Sequence, residues 1–274
     1  MPEELNKNEI NPKTILKTDS DGNLVPEGNA SKINWRYEKI INEIKIKIIE
    51  LLGTKNIVSI YVSGSVATGI ADTNSDIDIR IIMKERMKKE VELSKRQEIK
   101  TQFKKKKLDT KIDISFASVV ELIGKKSSFR KQFIHKLLSV CVYGEDLNPQ
   151  LPNFKADEKT AVKLSENIRL RVGETIEELR TIEDSIEIKM ACKWIMKKIL
   201  RNSFFLVIGR ERKFTTSLDT MAKFFKRNFP EKISCIERVF ELCNNPTNDK
   251  KRIVQLLTDY TPWLIEQLEI LKKK

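Results

Sequence analysis

Val62-Ser-Gly-Ser-Val-Ala-Thr-Gly-Ile-Ala-Asp-Thr-Asn-Ser-Asp-Ile-Asp-Ile79 is the stretch on which the reading of this chain turns. A Gly64-Ser65 turn follows an apolar strand, Ile57 to Val62, and Ser75 opens a second strand carrying Asp76 and Asp78. Side chains alternate faces along a strand, so both carboxylates project from one side while Ile77 and Ile79 point to the other. Downstream, Lys111-Ile-Asp-Ile-Ser-Phe-Ala alternates in the same way, with Ile112, Ile114 and Phe116 opposite Asp113 and Ser115. With this third strand beside the second, Asp76, Asp78 and Asp113 converge on one patch of sheet.

Three carboxylates and a triphosphate suit two Mg2+ ions, which take oxygen ligands and bridge carboxylate to phosphate. One ion would lower the pKa of an attacking hydroxyl; the other would neutralise the leaving pyrophosphate. Asp113 is placed to orient or deprotonate that hydroxyl. Gly64 lets the backbone approach the phosphates closely, and Ser65 offers a hydroxyl and an amide at the start of a helical turn. This is not a Walker loop: Gly64 and Gly69 have the spacing, but Ile70-Ala71 stand where Lys and Ser or Thr are required. Ser75 and Arg80 join Gly64 and Ser65 as candidate nucleotide-binding residues. Arg80 shares the strand parity of the acids, so it either pairs with a carboxylate or touches a phosphate, and the ion pair is favoured.

Gly-Ser, a second glycine five residues after the first, and Ser-Asp-Ile-Asp-Ile resemble the signature of the polymerase β-type nucleotidyltransferase superfamily. Lys-Ile-Asp-Ile-Ser-Phe is similar to the strand that carries that superfamily's third carboxylate. The resemblance covers roughly residues 35–147. It implies metal binding by Asp76 and Asp78, metal binding near the acceptor by Asp113, and a grip on the triphosphate by Gly64 and Ser65.

The rest of the chain bounds the reading. The 274 residues carry 52 Lys and Arg against 39 Asp and Glu, a formal net charge of +13. That surplus favours a polyanion such as RNA, although a Lys-rich composition spread along the whole chain explains it as well. The single histidine, His135, excludes His-based metal sites and most His-dependent acid-base schemes, and it reads as a core or helix-surface residue. No apolar run approaches the ~20 residues of a membrane span. Cys141, Cys192, Cys235 and Cys243 have no paired spacing, so reduced thiols, and with a polar N-terminus a cytoplasmic location, are expected.

Residues 1–30 hold three prolines and little periodicity and read as a flexible arm. Ser31 can cap a helix whose apolar positions, Tyr37 to Leu51, follow three-four spacing to Gly53. The fold expected is an α/β N-terminal nucleotidyltransferase core over residues 31–150, a small mixed sheet flanked by helices. An all-α helical bundle over 151–274 follows, with helices near 157–182, 185–208, 216–228, 230–244 and 249–271. The apolar face of the last helix (Ile253, Leu256, Leu257, Tyr260, Leu264) pairs subunits or closes the bundle, which leaves the oligomeric state open.

The acceptor is less defined, because one fold hosts many functions. The short interval between Asp78 and Asp113, followed by a helical bundle, looks like the layout of antibiotic (aminoglycoside) nucleotidyltransferases. Lys193-Trp-Ile-Met-Lys-Lys-Ile-Leu-Arg-Asn, with Gly209 and Thr215-Thr-Ser-Leu, loosely resembles the helix pair that follows their catalytic domain. An acidic run (Glu174, Glu177, Glu178, Glu183, Asp184, Glu187) with few compensating bases is either a polycation site or a solvated helix face. The favoured reading is therefore Mg2+-dependent transfer of AMP from ATP to a small-molecule hydroxyl, with a nucleoside triphosphate as co-substrate and no membrane partner. The alternatives are an RNA- or tRNA-modifying or toxin-like transferase, and a non-catalytic partner-binding protein on the same fold. The run Lys104 to Lys107 either meets RNA phosphates or is a solvated turn.

Overall fold

A computed structural model describes residues 9–72, 75–104, 111–165 and 167–273. Lys105 to Lys107 of the basic run lie outside these residues, as do Thr73, Asn74 and Glu166. The chain divides into two compact units, one of residues 25–153 and one joining the first 24 residues to 154–274.

The first unit opens with α1 (Trp35–Leu52), whose Tyr37, Ile40, Ile41, Ile44 and Ile48 form the buried stripe that three-four spacing predicts. Its cap is Asn34, whose side chain accepts from the Arg36 amide; Ser31 instead lies in a short 3-10 turn that Asn29 caps. Then come β1 (Ile57–Ser63), α2 (Gly64–Thr68), β2 (Ile77–Met83), α3 (Lys89–Lys104) and β3 (Ile112–Ser118), followed by α4 (Val119–Ile123), α5 (Phe129–Leu138) and β4 (Ser139–Gly144). The sheet runs β3-β2-β1-β4. β2 is antiparallel to β1 and parallel to β3, with α3 in the crossover, and β4 is antiparallel to β1. The sheet is thus small and mixed.

β4 had no counterpart among the expected strands. It is a short edge strand running straight on from α5, and its middle is only half-buried, so no alternation of burial announces it.

The main core lies on one face of the sheet. Ile60, Val62, Ile77, Ile79, Ile81, Ile112 and Ile114 pack there against Ile44 and Ile48 of α1 and Ile99 of α3. The opposite face holds a smaller cluster around Tyr61, Ile82, Leu122, Leu147 and Leu151. One end of that face is left polar.

The second unit holds α6 (Glu158–Leu164), α7 (Ile168–Thr181), α8 (Ser185–Phe205), α9 (Ile208–Glu211), α10 (Leu218–Asn228), α11 (Ile233–Asn244) and α12 (Lys250–Lys273). The expected single helix 157–182 is two helices: α6 ends at Leu164, and Asn167 caps α7 by accepting from the Leu170 amide. α7, α10 and α11 pack around α8. On α12, Ile253, Leu256, Leu257, Tyr260 and Leu264 are all buried, so this face closes the bundle. Residues 9–24, read from sequence as part of a loose arm, are attached to this unit. Leu16 and Leu24 are buried, the Leu16 amide donates to Phe214 O at 2.9 Å, and Thr215 Oγ1 donates to Thr14 O at 2.6 Å. No helix among the described residues is long and apolar enough to cross a membrane, and all four cysteines are free.

Candidate active site

Strand alternation places Asp78 and Asp113 as their spacing predicts. Asp78 and Asp113 are register partners on the parallel pair β2–β3, and the flanking Ile77, Ile79, Ile112 and Ile114 are buried on the opposite face. Asp76 stands one residue before β2, which begins at Ile77 rather than at Ser75. Ser75 instead closes a turn: its amide donates to Asp72 O at 3.1 Å, and its hydroxyl donates to Asp72 Oδ1 at 3.1 Å and accepts from the Asp72 amide at 3.0 Å. Tyr37 of α1 donates to the same Asp72 carbonyl at 2.5 Å. Ser75 therefore anchors the approach to β2.

Ser63, the last residue of β1, pairs with Asp78, so the turn that follows lies beside that acid. Gly64 has φ +72°, a left-handed conformation that penalises any side chain. A Cβ built there would come 2.9 Å from Asp78 Oδ2. Glycine is required twice over, for its backbone conformation and for the space next to the carboxylate. Ser65 opens the first turn of α2, half-buried, and its hydroxyl has no hydrogen-bond partner among the described residues.

The three carboxylates act on one another. Asp78 keeps some surface to solvent, yet burial, then the charge of Asp113, then that of Asp76, push its carboxyl up to about 6, against the opposing charges of Arg80 and Lys111. They do not close into a cage. Among the described residues no three His, Cys, Asp or Glu side chains lie within common reach of one metal ion. Two ammonium groups take the outer acids instead: Lys111 Nζ is 3.5 Å from Asp76 Oδ2, and Lys100 Nζ of α3 is 3.2 Å from Asp113 Oδ1. A hard divalent cation suits this donor set, which is made wholly of carboxylate oxygens, crowded by like charge and already attended by cations.

Arg80 differs from the sequence reading. Its Nη1 lies 3.1 Å from His135 Nδ1, and among the described residues it makes no ion pair with a carboxylate. In the second unit the acidic run matches the solvated helix face of its two readings. Glu174 pairs with Arg171 at 2.8 Å, Glu177 pairs with Arg180 at 2.7 Å, and Asp184 accepts from the Ile186 and Glu187 amides as the cap of α8. Glu174 and Glu177 thus have compensating bases, and Asp184 has a structural role.

Residues 46–138 match the polymerase beta nucleotidyltransferase family. The chain carries a nucleotidyltransferase domain of the polymerase beta type. The match runs from the middle of α1 to the end of α5 and takes in Asp76, Asp78, Asp113 and the Gly64-Ser65 turn. This nucleotidyltransferase fold also resembles the crystal structure of spectinomycin adenyltransferase AAD(9) from Enterococcus faecialis with ATP and spectinomycin. That likeness has a TM-score of 0.54 at 14% identity and covers 85% of this chain and 99% of that one. No curated protein matches the sequence.

Sequence reasoning passed over two groups beside the acids, Lys100 and Lys111, and read His135 only as a core or helix-surface residue, which it is. Lys111 directly precedes the third strand, so its proximity was open to inference. Lys100 and His135 reach the site through tertiary packing, which no local pattern records.

Proposed function

We propose that this protein transfers a nucleoside monophosphate, AMP from ATP, to a hydroxyl of a small-molecule acceptor such as an aminoglycoside. The observation that carries the reading is Asp78, set between its register partner Asp113 and the Gly64-Ser65 turn, with Asp76 beside it. Asp76 and Asp78 would hold two Mg2+ ions with Asp113 on the acceptor side. Bound there, the ions supply charge neutralisation at the phosphates and a lowered acceptor pKa. Gly64 admits the triphosphate to the backbone, and the amide and hydroxyl of Ser65 bind it. Asp113 orients the acceptor hydroxyl and takes its proton. Ser75 fixes the chain that leads into the acids, and Arg80 lies behind Asp78, one row in from the nucleotide.

The small-molecule acceptor is supported by the fold likeness, since the similar adenyltransferase structure holds ATP and spectinomycin. One observation favours a second reading: the net charge of +13 suits an RNA acceptor. Incubation with α-labelled ATP, UTP, CTP or GTP and Mg2+ tests both, with an aminoglycoside panel, total RNA and cell protein as parallel acceptors. Label on an aminoglycoside, from ATP in preference to the others, is the predicted result. Label on RNA alone would select the second reading, and no transfer to any pool would favour a partner-binding protein on this fold.

A further inference from the structure

One row in from the acids, the same face of the sheet carries a buried polar chain. Arg80 follows Asp78 by two positions and opposes Tyr61 of β1 and Ser115 of β3. Its Nη1 meets Nδ1 of His135 on α5 at 3.1 Å. His135 is 0% exposed, with its ring edge-on to Tyr61 at 4.2 Å between centroids. Tyr61 is itself fixed, donating to Asp146 Oδ1 at 3.0 Å and accepting from the Leu147 amide at 2.6 Å. A guanidinium has donors only. Nδ1 must therefore be the acceptor, which puts the imidazole proton on Nε2.

This contact decides where the Arg80 charge points. A half-buried guanidinium takes an acceptor within reach, and a carboxylate is the strongest kind. Asp78 is two positions along the same face. Yet no ion pair at 4.0 Å or less joins the two, although Asp78 does feel the Arg80 charge at longer range. The imidazole lone pair draws the guanidinium inward and leaves the Asp78 oxygens open to a cation.

We propose that His135 is a positioning residue for the metal-binding acids: through Nδ1 it holds the Arg80 guanidinium and so keeps it from closing an ion pair on Asp78. The proposal rests on the reading of Asp76, Asp78 and Asp113 as metal ligands. It assigns a task to the chain's one histidine, which is shut off from solvent.

Titration of Mn2+ into the full chain, with free Mn2+ counted by electron paramagnetic resonance, tests it. His135→Phe keeps a ring but removes the lone pair, and Mn2+ affinity should fall about tenfold or more, the usual effect of losing a group behind a metal ligand. His135→Asn, whose Oδ1 can stand where Nδ1 does, should recover most of the loss. Adding Arg80→Met to His135→Phe should also restore binding, because the competing guanidinium is gone. Merely structural damage would not be repaired that way, so a double variant as weak as His135→Phe overturns the proposal. If Asp78→Asn loses Mn2+ while His135→Phe binds like the parent, the positioning role alone fails. If the parent and Asp78→Asn bind alike, the reading of the acids fails and takes this one with it. A measurement on the unaltered protein stands beside these. The 15N shifts of its single imidazole should report a neutral Nε2–H tautomer at neutral pH, and an Nδ1–H tautomer or an imidazolium would sink the idea.

Discussion

The two faces of the sheet in residues 25–153 come from the same strands, one residue out of step, and they are put to opposite uses. On one face Ile77, Ile79, Ile112 and Ile114 are shut against α1 and α3, where apolar burial holds the strands in register. On the other, Ser63, Asp78 and Asp113 line up across three strands, where mutual repulsion and burial work against the charged site. The contrast teaches that the isoleucines hold the acids together, since like charges would not assemble by themselves. A residue lost from the apolar face should cost fold first and activity with it. A residue lost from the polar face should cost activity while the fold stays or improves.

Asp78→Asn is the sharpest test of that division. Nucleotide transfer should fall on the order of a thousandfold, the scale expected when several kcal/mol of charge stabilisation is removed. The carboxyl, raised to about 6, disfavours the metal-free fold once it ionises. The Asp78→Asn variant should therefore melt at or above the parent's temperature at pH 7 without metal. A clear loss of melting temperature would break the comparison.

Ile79→Ala probes the opposite face. It deletes a buried side chain 2% exposed in the main core and should cost about 2–5 kcal/mol in denaturant unfolding, with turnover per folded molecule little changed. The pH dependence comes next. Burial and then the Arg80 charge push His135 down to about 3 from its ordinary 6.5. As pH falls through 6.5 the unfolded chain takes up the proton first. The stability due to the neutral imidazole is thus complete above that pH and is lost towards 3. Unfolding across this range should show a slope that His135→Phe flattens by up to a few kcal/mol.

Gly64→Ala should cost less stability than Ile79→Ala, about 1–2 kcal/mol for a side chain in the left-handed region. Its effect on transfer should be larger than that cost implies, because the new methyl can be seated only by moving the Asp78 carboxylate. Thermal melts beside transfer rates check the asymmetry.

Much of the sheet was legible because strand alternation is a local pattern. Isoleucine parity predicted which way Asp78 and Asp113 face, and the glycine turn announced itself by composition. The parts missed depend on the tertiary fold. Ser75 was read as a strand residue, since its turn with Asp72 competes with extension only once Tyr37 is in place. The start of α7 is a capping event at Asn167 inside an otherwise helical pattern. Arg80 and His135 are 55 residues apart in sequence, and nothing near either one signals the contact. The lysines on Asp76 and Asp113 likewise become visible only when the strands and α3 are in place.

The most direct test is pyrophosphate release from ATP with Mg2+ and pooled acceptors, comparing the parent chain with Asp113→Asn. The account predicts release by the parent that stops when Mg2+ is chelated and is all but lost in the variant, with both proteins equally folded. Equal release by the two proteins would contradict it, because the third carboxylate would then have no part in the chemistry.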